Sequence, residues 1–216
     1  MFKKPKLIVF ASGSESGGGS GFENLCQSAL NGTLNAQIVA VVSNYPHGGV
    51  KERADKFNIP FVYFPSPWTA ERYQQIVQET GAEFVALSGW LKFVQGLNPK
   101  KTFNIHPGPL PRFGGQGMYG RHVHEAVMKA YRDGKITHSA VTMHFVVDND
   151  DYDRGPIIFQ KEVPIFSDDT PETLGKRVNE MEHIWQPIVT EAILCGDISW
   201  DGVNPESLSG QDQILS

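Results

Sequence analysis

Short, continuously apolar segments alternate along the first half of this chain with segments whose apolar residues recur at helical spacing. The apolar segments, at residues 7–11, 37–42, 61–64, 84–88 and 103–105, predict strands. Strands that are apolar at nearly every position are typical of a parallel sheet covered on both faces. The intervening segments at 22–30, 50–57 and 70–80 predict helices. This alternation predicts an α/β fold with a mostly parallel sheet.

The second half of the chain has a different pattern. A helix is predicted over 123–131, then a strand over 138–147 with period-two alternation and an antiparallel partner over 157–163. Thr170, Pro171 and Glu172 predict the start of a helix that runs to Leu194. We therefore expect a Rossmann-like twisted sheet flanked by helices, with an antiparallel extension and a half-exposed strand at 138–147. One domain is expected over 1–200, with a phosphate-binding half at about 1–100, a catalytic half at about 101–200 and a peripheral tail at 201–216.

Charge and cysteine content exclude several classes of protein. The 216 residues carry 24 acidic and 19 basic side chains, a net charge of −5 that argues against coating nucleic acid or an anionic membrane. Two cysteines, Cys26 and Cys195, are too few for a disulfide framework and fit a reducing, cytoplasmic compartment. The apolar segment at 7–11 is too short for the core of a signal peptide, and none approaches transmembrane length.

A glycine-rich loop joins the first predicted strand to the first predicted helix. Such a loop lies at the carboxyl edge of a parallel sheet, where free N–H groups and the helix dipole favour an anion. The candidates for a phosphate cradle are Ser12, Gly13, Gly19, Ser20 and Gly21. The spacing matches no dinucleotide or P-loop motif, and the acid that would hold an NAD ribose is missing. A surface loop without a ligand is the alternative.

Asn104 and His106 end the fifth predicted strand, two residues apart, so their side chains point to the same side. An amide donor beside an imidazole can stabilise a developing oxyanion and move a proton. A carboxylate nearby would hold the tautomer and charge of the ring, and the acidic segment at 148–153 offers several.

The other histidines of this region have a simpler interpretation. His122, His138 and His144 are predicted to be hydrogen-bonded structural residues. His122 and His124 would face apart on a helix, and no cysteine or glutamate partner supports zinc between them. The acidic segment lacks the spacing of a calcium loop. We expect no metal site.

The segment FNIHPGPLP at 103–111 is similar to the N-I-H-P-S-L-L-P segment of the folate-dependent formyltransferases. The resemblance covers nearly the whole chain: IVFASGS…GGSGFENL resembles the family's first strand, phosphate loop and helix, VVSN its second strand and turn, and LSGWLKFV its A-G-F-M-R-I-L segment. VTMHFVVDNDDYDRGPIIFQKEVPI resembles V-H-F-V…D-G-G-P-V-I-L-Q, and EHIWQP resembles a late E-H-x-x-x-P. The phosphate loop and the E-H pair narrow the resemblance to members acting on a purine-pathway ribonucleotide.

The resemblance implies a single formyltransferase domain that transfers a formyl group from 10-formyltetrahydrofolate, its co-substrate, to the amine of glycinamide ribonucleotide in IMP biosynthesis. It implies no metal. The catalytic residues would be Asn104, His106 and Asp153, with His106 as an imidazolium that Asp153 keeps charged. Glu182 would contact the ribonucleotide. Folate contacts would come from Leu91, Lys92, Phe93, Val94, Val147 and Asp148.

Four departures from the family pattern leave questions open. Residues inserted before Gly19 would share the phosphate contacts with Gly17 and Gly18. The segment at 114–121 is longer than the family's connection. Two residues added before Asp153 leave Asp150 and Asp151 as alternatives for its role. The family's folate-contacting arginine aligns with Ala70, and whether Arg72 replaces it is open.

Two other functional interpretations accompany the resemblance. One is another enzyme that uses formyl-folate, either a hydrolase or a methionyl-tRNA formyltransferase, for which we expect a longer chain and, for tRNA, a less acidic one. The other is a non-catalytic, Rossmann-like nucleotide-binding module. Small-molecule substrates are the expected partners, without nucleic acid or membrane, and both a monomer and a homodimer are compatible with the sequence.

Overall fold

The computed structural model describes residues 3–15, 17–147 and 151–214. These residues contain the strands β1 (Lys6–Phe10), β2 (Gly13–Ser14), β3 (Gly17–Gly18), β4 (Gln37–Ser43), β5 (Phe61–Tyr63), β6 (Phe84–Ser88), β7 (Thr102–His106), β8 (His138–Phe145) and β9 (Ile157–Pro164). The α-helices are α1 (Ser20–Asn31), α2 (Gly49–Phe57), α3 (Ala70–Thr80), α4 (Arg121–Arg132) and α5 (Pro171–Cys195). Short 3₁₀ helices span Pro99–Lys101, Pro205–Ser207 and Gln211–Ile214.

Seven of these strands form one sheet in the order β5-β4-β1-β6-β7-β8-β9. The strands from β5 to β7 are parallel, and β8 and β9 are added antiparallel. This confirms the predicted mostly parallel sheet with an antiparallel extension. In this order β4 lies on one side of β1 and β6 lies on the other. A crevice therefore opens at the carboxyl ends of β1 and β6. In open α/β sheets, ligands bind at such a switch point.

The two faces of the sheet are buried by different sets of residues. One face packs under α1, α2, α4 and α5 around Val9, Phe22, Val127 and Val178. The other face packs under α3, and here aromatic rings dominate: Phe10, Phe64, Tyr73 and Trp90. Both faces of β1 are therefore covered, which explains why its sequence is continuously apolar.

The prediction that 138–147 is a half-exposed strand was wrong. Residues 139–145 of β8 are all buried. The face carrying Val141 and Met143 lies in the larger core. The face carrying Thr142 and His144 is covered by a loop, since the Thr142 hydroxyl donates to the Gly108 carbonyl at 2.7 Å. Period-two alternation therefore separates an apolar face from a polar face, and both are buried between β7 and β9.

Helix α5 begins as predicted, with Pro171 in its first turn and the Thr170 hydroxyl accepting from the Thr173 N–H at 3.2 Å. Beyond it the chain folds back on the sheet. The Trp200 ring lies 5.4 Å from the Phe145 ring, and the Gln211 side chain donates to the Ile157 carbonyl. The division of the chain at residue 200 stays a prediction. No helix in the described ranges is both long and apolar enough to cross a bilayer.

Candidate active site

A cleft of about 640 Å³ opens at the carboxyl edge of the sheet, beside β1, β6 and β7 and against α5. Residues from all three predicted parts of the site line it: the glycine-rich loop, the end of β7 and the E-H pair of α5. The predicted residues in the lining are Ser12, Gly18, Gly19, Ser20, Gly21, Leu91, Asn104, His106, Asp153 and Glu182. The fold therefore brings together segments that are far apart in sequence.

The glycine-rich loop forms one end of the cleft. It folds as a small antiparallel hairpin of β2 and β3 and ends at Gly19, a left-handed N-cap with φ 83°. No side chain caps α1. The first N–H groups of a helix have no partner within it, so those of Ser20 and Gly21 are available to an anion at the helix N-terminus. Gly13 is not in the cleft lining; it pairs with Gly18 in the hairpin.

Asn104 lies at the other end of the cleft, between a histidine and a carboxylate. Its Nδ2 is 3.1 Å from His144 Nε2 and donates to Asp153 Oδ1 at 3.3 Å. His144 Nδ1 lies 2.8 Å from the Phe145 carbonyl, which can only accept, so Nδ1 carries a proton. His144 Nε2 also lies 3.3 Å from Asp153 Oδ1, so His144, Asn104 and Asp153 form one cluster. The amide of Asn104 is thereby oriented with its nitrogen, the donor atom, held toward the acidic residue.

His106 is held in an equally defined way. Its Nε2 lies 2.8 Å from the Phe113 carbonyl and donates to it, which leaves Nδ1 facing Asp153 Oδ2 at 3.6 Å. Burial lowers the pKa of His106, and this outweighs the effects of the Asp153 charge and the Phe113 carbonyl, which raise it. This lowering favours the neutral ring near pH 7, whereas the sequence interpretation expected an imidazolium. Asp153 does raise the pKa of His106 as expected, but desolvation of a ring that is only 3% exposed prevails.

Asp153 connects these groups. Its Oδ2 accepts from the Gly115 N–H at 3.1 Å, and it takes a left-handed φ of 57°, which aspartate tolerates better than most residues. Burial alone would raise the pKa of Asp153, but contacts with His144, His106 and the Gly115 N–H together lower it, so it is ionised at neutral pH. Of its rivals, Asp151 forms an ion pair with Arg154, and Asp150 lies outside the described residues.

His144 is a site residue that the sequence interpretation missed, because it was assigned to structure alone. What identifies it is the pairing of the strands rather than a pattern in the sequence. Asn104 and His144 are direct cross-strand partners in the antiparallel β7–β8 pair, so their side chains lie on the same face. Recognising this requires the register of β8 against β7, which the local sequence pattern does not contain.

Glu182 lines the cleft from α5. The Asn179 amide donates to its Oε2 at 3.1 Å. Burial raises the pKa of Glu182 to about 7, only partly opposed by the Asn179 hydrogen bond. Its carboxyl group therefore changes charge within the physiological range.

A second, narrower cavity lies on the other side of Asn104. Its walls include Lys92, Phe93, Val94 and Val147, four of the six residues predicted to contact folate. Leu91 lines the larger cleft instead, and Asp148 lies outside the described residues. A further aromatic residue, Tyr152, borders both cavities, and its ring lies 5.1 Å from that of Phe93. Aromatic and aliphatic side chains line this cavity together with polar and charged ones, among them Asn104 and Arg154, and such a mixture suits a flat heteroaromatic ring that also forms hydrogen bonds.

Arg72, the possible replacement for the family's folate-contacting arginine, makes its contacts outside both cavities. Its guanidinium donates to the carbonyls of Pro65 and Pro67 and lies 4.8 Å from the centre of the Phe64 ring, and it lines neither cavity. Lys92, by contrast, lines the second cavity. Its Nζ lies 4.6 Å from the centre of the Trp68 ring, on an aromatic face. Among residues 3–15, 17–147 and 151–214, no group of three or more His, Cys, Asp or Glu side chains is placed to hold a metal ion.

Comparison of the sequence with known proteins identifies the family to which the chain belongs. Residues 5–190 match the family described as Formyl transferase. The chain is 37% identical over 215 residues to the chloroplastic phosphoribosylglycinamide formyltransferase of Arabidopsis thaliana, covering 93% of this chain and 70% of that protein. It is 33% identical over 199 residues to phosphoribosylglycinamide formyltransferase of Bacillus subtilis (strain 168), covering 88% and 94%.

A solved structure supports the same relationship. Glycinamide ribonucleotide transformylase 1 from Symbiobacterium toebii superposes with a TM-score of 0.79 at 25% sequence identity, covering 92% of each chain. The predicted resemblance and fold are thereby confirmed. This chain belongs to the formyl transferase family, together with the phosphoribosylglycinamide formyltransferases that it resembles.

Proposed function

We propose that this protein transfers the formyl group of 10-formyltetrahydrofolate to the amine of glycinamide ribonucleotide in purine biosynthesis. The observation that carries the proposal is the position of Asn104, which borders both cavities. One cavity has an anion-binding helix start at its far end, as a phosphate-bearing acceptor requires. The other combines apolar walls with polar and charged side chains, as the folate ring with its hydrogen-bonding edge requires. A group transferred between the two ligands would pass beside Asn104, His106 and Asp153.

In the proposed reaction a bond forms between the amine nitrogen and the formyl carbon, the bond to the folate nitrogen breaks, and one proton moves from the amine to that nitrogen. Asn104 donates to the formyl oxygen as negative charge develops on it. Its amide nitrogen donates to Asp153 Oδ1 at 3.3 Å, a long hydrogen bond that is readily given up for the formyl oxygen.

A neutral His106 suits the proton transfer. Its free Nδ1 can first accept the proton that the amine loses and then deliver it to the departing nitrogen, so no net proton is needed. Asp153 stabilises the imidazolium that forms between these steps, since its charge faces Nδ1 at 3.6 Å. Folate contributes a formyl group that is already activated, and for this reason the proposed chemistry uses no metal.

The further roles follow from the same arrangement. Gly18, Gly19, Ser20 and Gly21 would bind the phosphate, Glu182 the ribonucleotide, and Lys92, Phe93, Val94 and Val147 the folate. We place the protein in the cytoplasm and give it small molecules rather than nucleic acid or membranes as partners, in view of its net charge of −5 and two free cysteines. The proposal is compatible with a monomer or a homodimer.

A single assay tests the proposal against its alternatives. The purified protein is incubated with 10-formyltetrahydrofolate in the presence and absence of glycinamide ribonucleotide, and both the formylated product and free formate are measured. We expect formylated product only when both substrates are present. Release of formate independent of the ribonucleotide would support a hydrolase instead. Failure of calorimetry to detect binding of either ligand would support a non-catalytic module.

A further inference from the structure

His124 is a buried side chain in the cleft that the proposed reaction leaves without a role. It is 8% exposed and lines the cleft, whereas its neighbour His122 on α4 is exposed and outside the lining. Within the described part of the chain, His124 Nδ1 has no hydrogen-bond partner. Because Nδ1 is enclosed and unpaired, Nε2 is the nitrogen of this ring through which it can bind a ligand in the cleft.

The ring has its own space, provided by a glycine on the facing helix. A Cβ atom at Gly175 of α5 would lie 2.9 Å from His124 Cδ2 and 3.1 Å from His124 Nε2. Glycine within a helix is less favourable than alanine, so its presence here reflects the close approach of the ring. Gly175 also lines the cleft. The Nε2 edge of His124 therefore faces the part of α5 that borders the cleft.

The protonation of the ring follows from its surroundings. Burial lowers the pKa of His124, and the nearby His106 lowers it further, so the ring is neutral near pH 7 and carries one proton. Nδ1 is enclosed and faces no acceptor. Because a buried N–H without an acceptor is rarer in proteins than an unpaired acceptor, the proton belongs on Nε2. The ring consequently offers an uncharged N–H donor at the edge that faces α5.

The position of His124 along the cleft indicates which part of a ligand it meets. Residues Gly175, Asn179, Glu182 and Gln186 line the cleft from successive turns of α5. Gln186 lies at the phosphate end, because a Cβ at Gly21 would be 3.0 Å from its Oε1. Gly175 is roughly 16 Å from Gln186 at the rise of an α-helix. His124 is therefore remote from the phosphate and close to the His106 end of the cleft.

We propose that His124 donates a hydrogen bond from Nε2 to an uncharged oxygen of the acceptor, either a ribose hydroxyl or the amide carbonyl, and so positions the amine beside His106. This inference rests on the proposed function, because it assumes a ribonucleotide acceptor. It makes His124 a binding and positioning residue rather than a catalytic one. It also explains why only the second histidine of the H-x-H sequence is buried.

The test compares His124→Leu, which removes the donor, with His124→Gln, whose amide nitrogen can reach the position of Nε2. Loss of one neutral hydrogen bond should raise the KM for the acceptor roughly threefold to tenfold in His124→Leu. We expect kcat to change less, the KM for formyl-folate to stay unchanged, and His124→Gln to recover most of the affinity. His122→Gln, a change on the same helix outside the cleft, should match the wild type.

Acceptor analogues that lack the 2′- or the 3′-hydroxyl identify the partner. If one hydroxyl is the partner, His124→Leu should have no effect on the KM of the analogue that lacks it. If the amide carbonyl is the partner, His124→Leu should affect both analogues as it affects the parent acceptor. Either pattern supports the inference.

The inference is overturned by an unchanged acceptor KM in folded His124→Leu, or by equal losses for both substrates together with a lowered Tm. The second result would assign His124 a structural role only. Wild-type activity is measured first, so that the two proposals fail separately. Absence of formyl transfer by the wild type would count against the proposed function. Normal wild-type transfer with an unaffected His124→Leu variant would count against this inference alone.

Discussion

Two glycine-rich loops, the one that joins β1 to α1 and the one at 114–121, border the same cleft but are held in different ways. In the first loop, neighbouring atoms occupy the space that a side chain would need. A Cβ at Gly18 would lie 2.7 Å from Gly13 Cα, and one at Gly21 would collide with the Ser88 hydroxyl. The shape of this loop is therefore fixed by packing, as the proposed binding of phosphate through its backbone would require.

The second loop has glycines of another kind. Gly115, Gly117 and Gly120 have positive φ values of 98°, 85° and 50°, yet a Cβ at any of them would meet nothing within 4 Å. Only its beginning is crowded, because Gly114 lies against Leu110 and Asp153. Glycine is favoured at these positions by the left-handed backbone conformation and not by crowding from neighbouring atoms. The groups that face the cleft differ accordingly: buried side chains at the proposed catalytic end, and backbone N–H groups held by packing at the proposed phosphate end.

The sharpest test of this contrast is Asn104→Ala. If side chains define the catalytic end, removing the donor should lower kcat by about 10²–10³, the usual effect of losing one oxyanion donor. The acceptor KM should change little, since the phosphate loop is untouched. Steady-state kinetics with each substrate varied in turn measures both quantities. Unaltered turnover would refute the assignment of Asn104.

Asp153→Asn should have the next largest effect. Without the carboxylate, the imidazolium that forms during proton transfer is less stable, and we expect kcat to fall by about 100-fold. The Asp153 charge raises the pKa of His106, so its removal lowers that pKa. Because the neutral ring is the active form, the acid limb of the kcat/KM profile should move to lower pH in the variant. A limb that moves upward or stays in place would contradict this role.

A matched pair of alanine variants compares the loops directly. Gly21→Ala places a methyl group on the Ser88 hydroxyl and should raise the acceptor KM about tenfold, in line with the energy of overpacking. Combining it with Ser88→Ala should restore part of the affinity. Gly117→Ala meets no atoms and should lower stability by about 1 kcal/mol through its left-handed backbone, with KM nearly unchanged. Equal effects on KM would show that the loops are not held differently.

Glu182→Gln should have the smallest effect, confined to pH dependence. Burial raises the pKa of Glu182 to about 7, so it is largely protonated at pH 6 and ionised at pH 8. A carboxylate accepts hydrogen bonds from hydroxyl groups more strongly, so the acceptor KM of the wild type should fall a few-fold across this range. In the Glu182→Gln variant this fall of the acceptor KM between pH 6 and pH 8 should be absent. The titration of the substrate amine is common to both proteins and serves as the internal control.

Much of the fold could be predicted from local sequence patterns. Helix α3 (Ala70–Thr80) and strand β6 (Phe84–Ser88) have the predicted bounds, and the other principal elements differ from prediction by no more than about two residues at either end. These patterns are local, because periodicity and capping reflect burial of one face and satisfaction of terminal N–H groups. The β2–β3 hairpin was missed, since its two-residue strands are set by contacts with α2 rather than by their own sequence.

The site was only partly predictable for the same physical reason. The sequence by itself determined the α/β architecture, the candidate pair Asn104 and His106, and the position of the glycine-rich loop proposed to bind phosphate, because each depends on residues close together in the chain. Only the tertiary structure brought Asp153 rather than Asp151 to His106, paired His144 with Asn104, and lowered the pKa of His106 by burial. Those outcomes depend on strand register, on loop closure and on the desolvation of a ring by distant segments, none of which a local pattern contains.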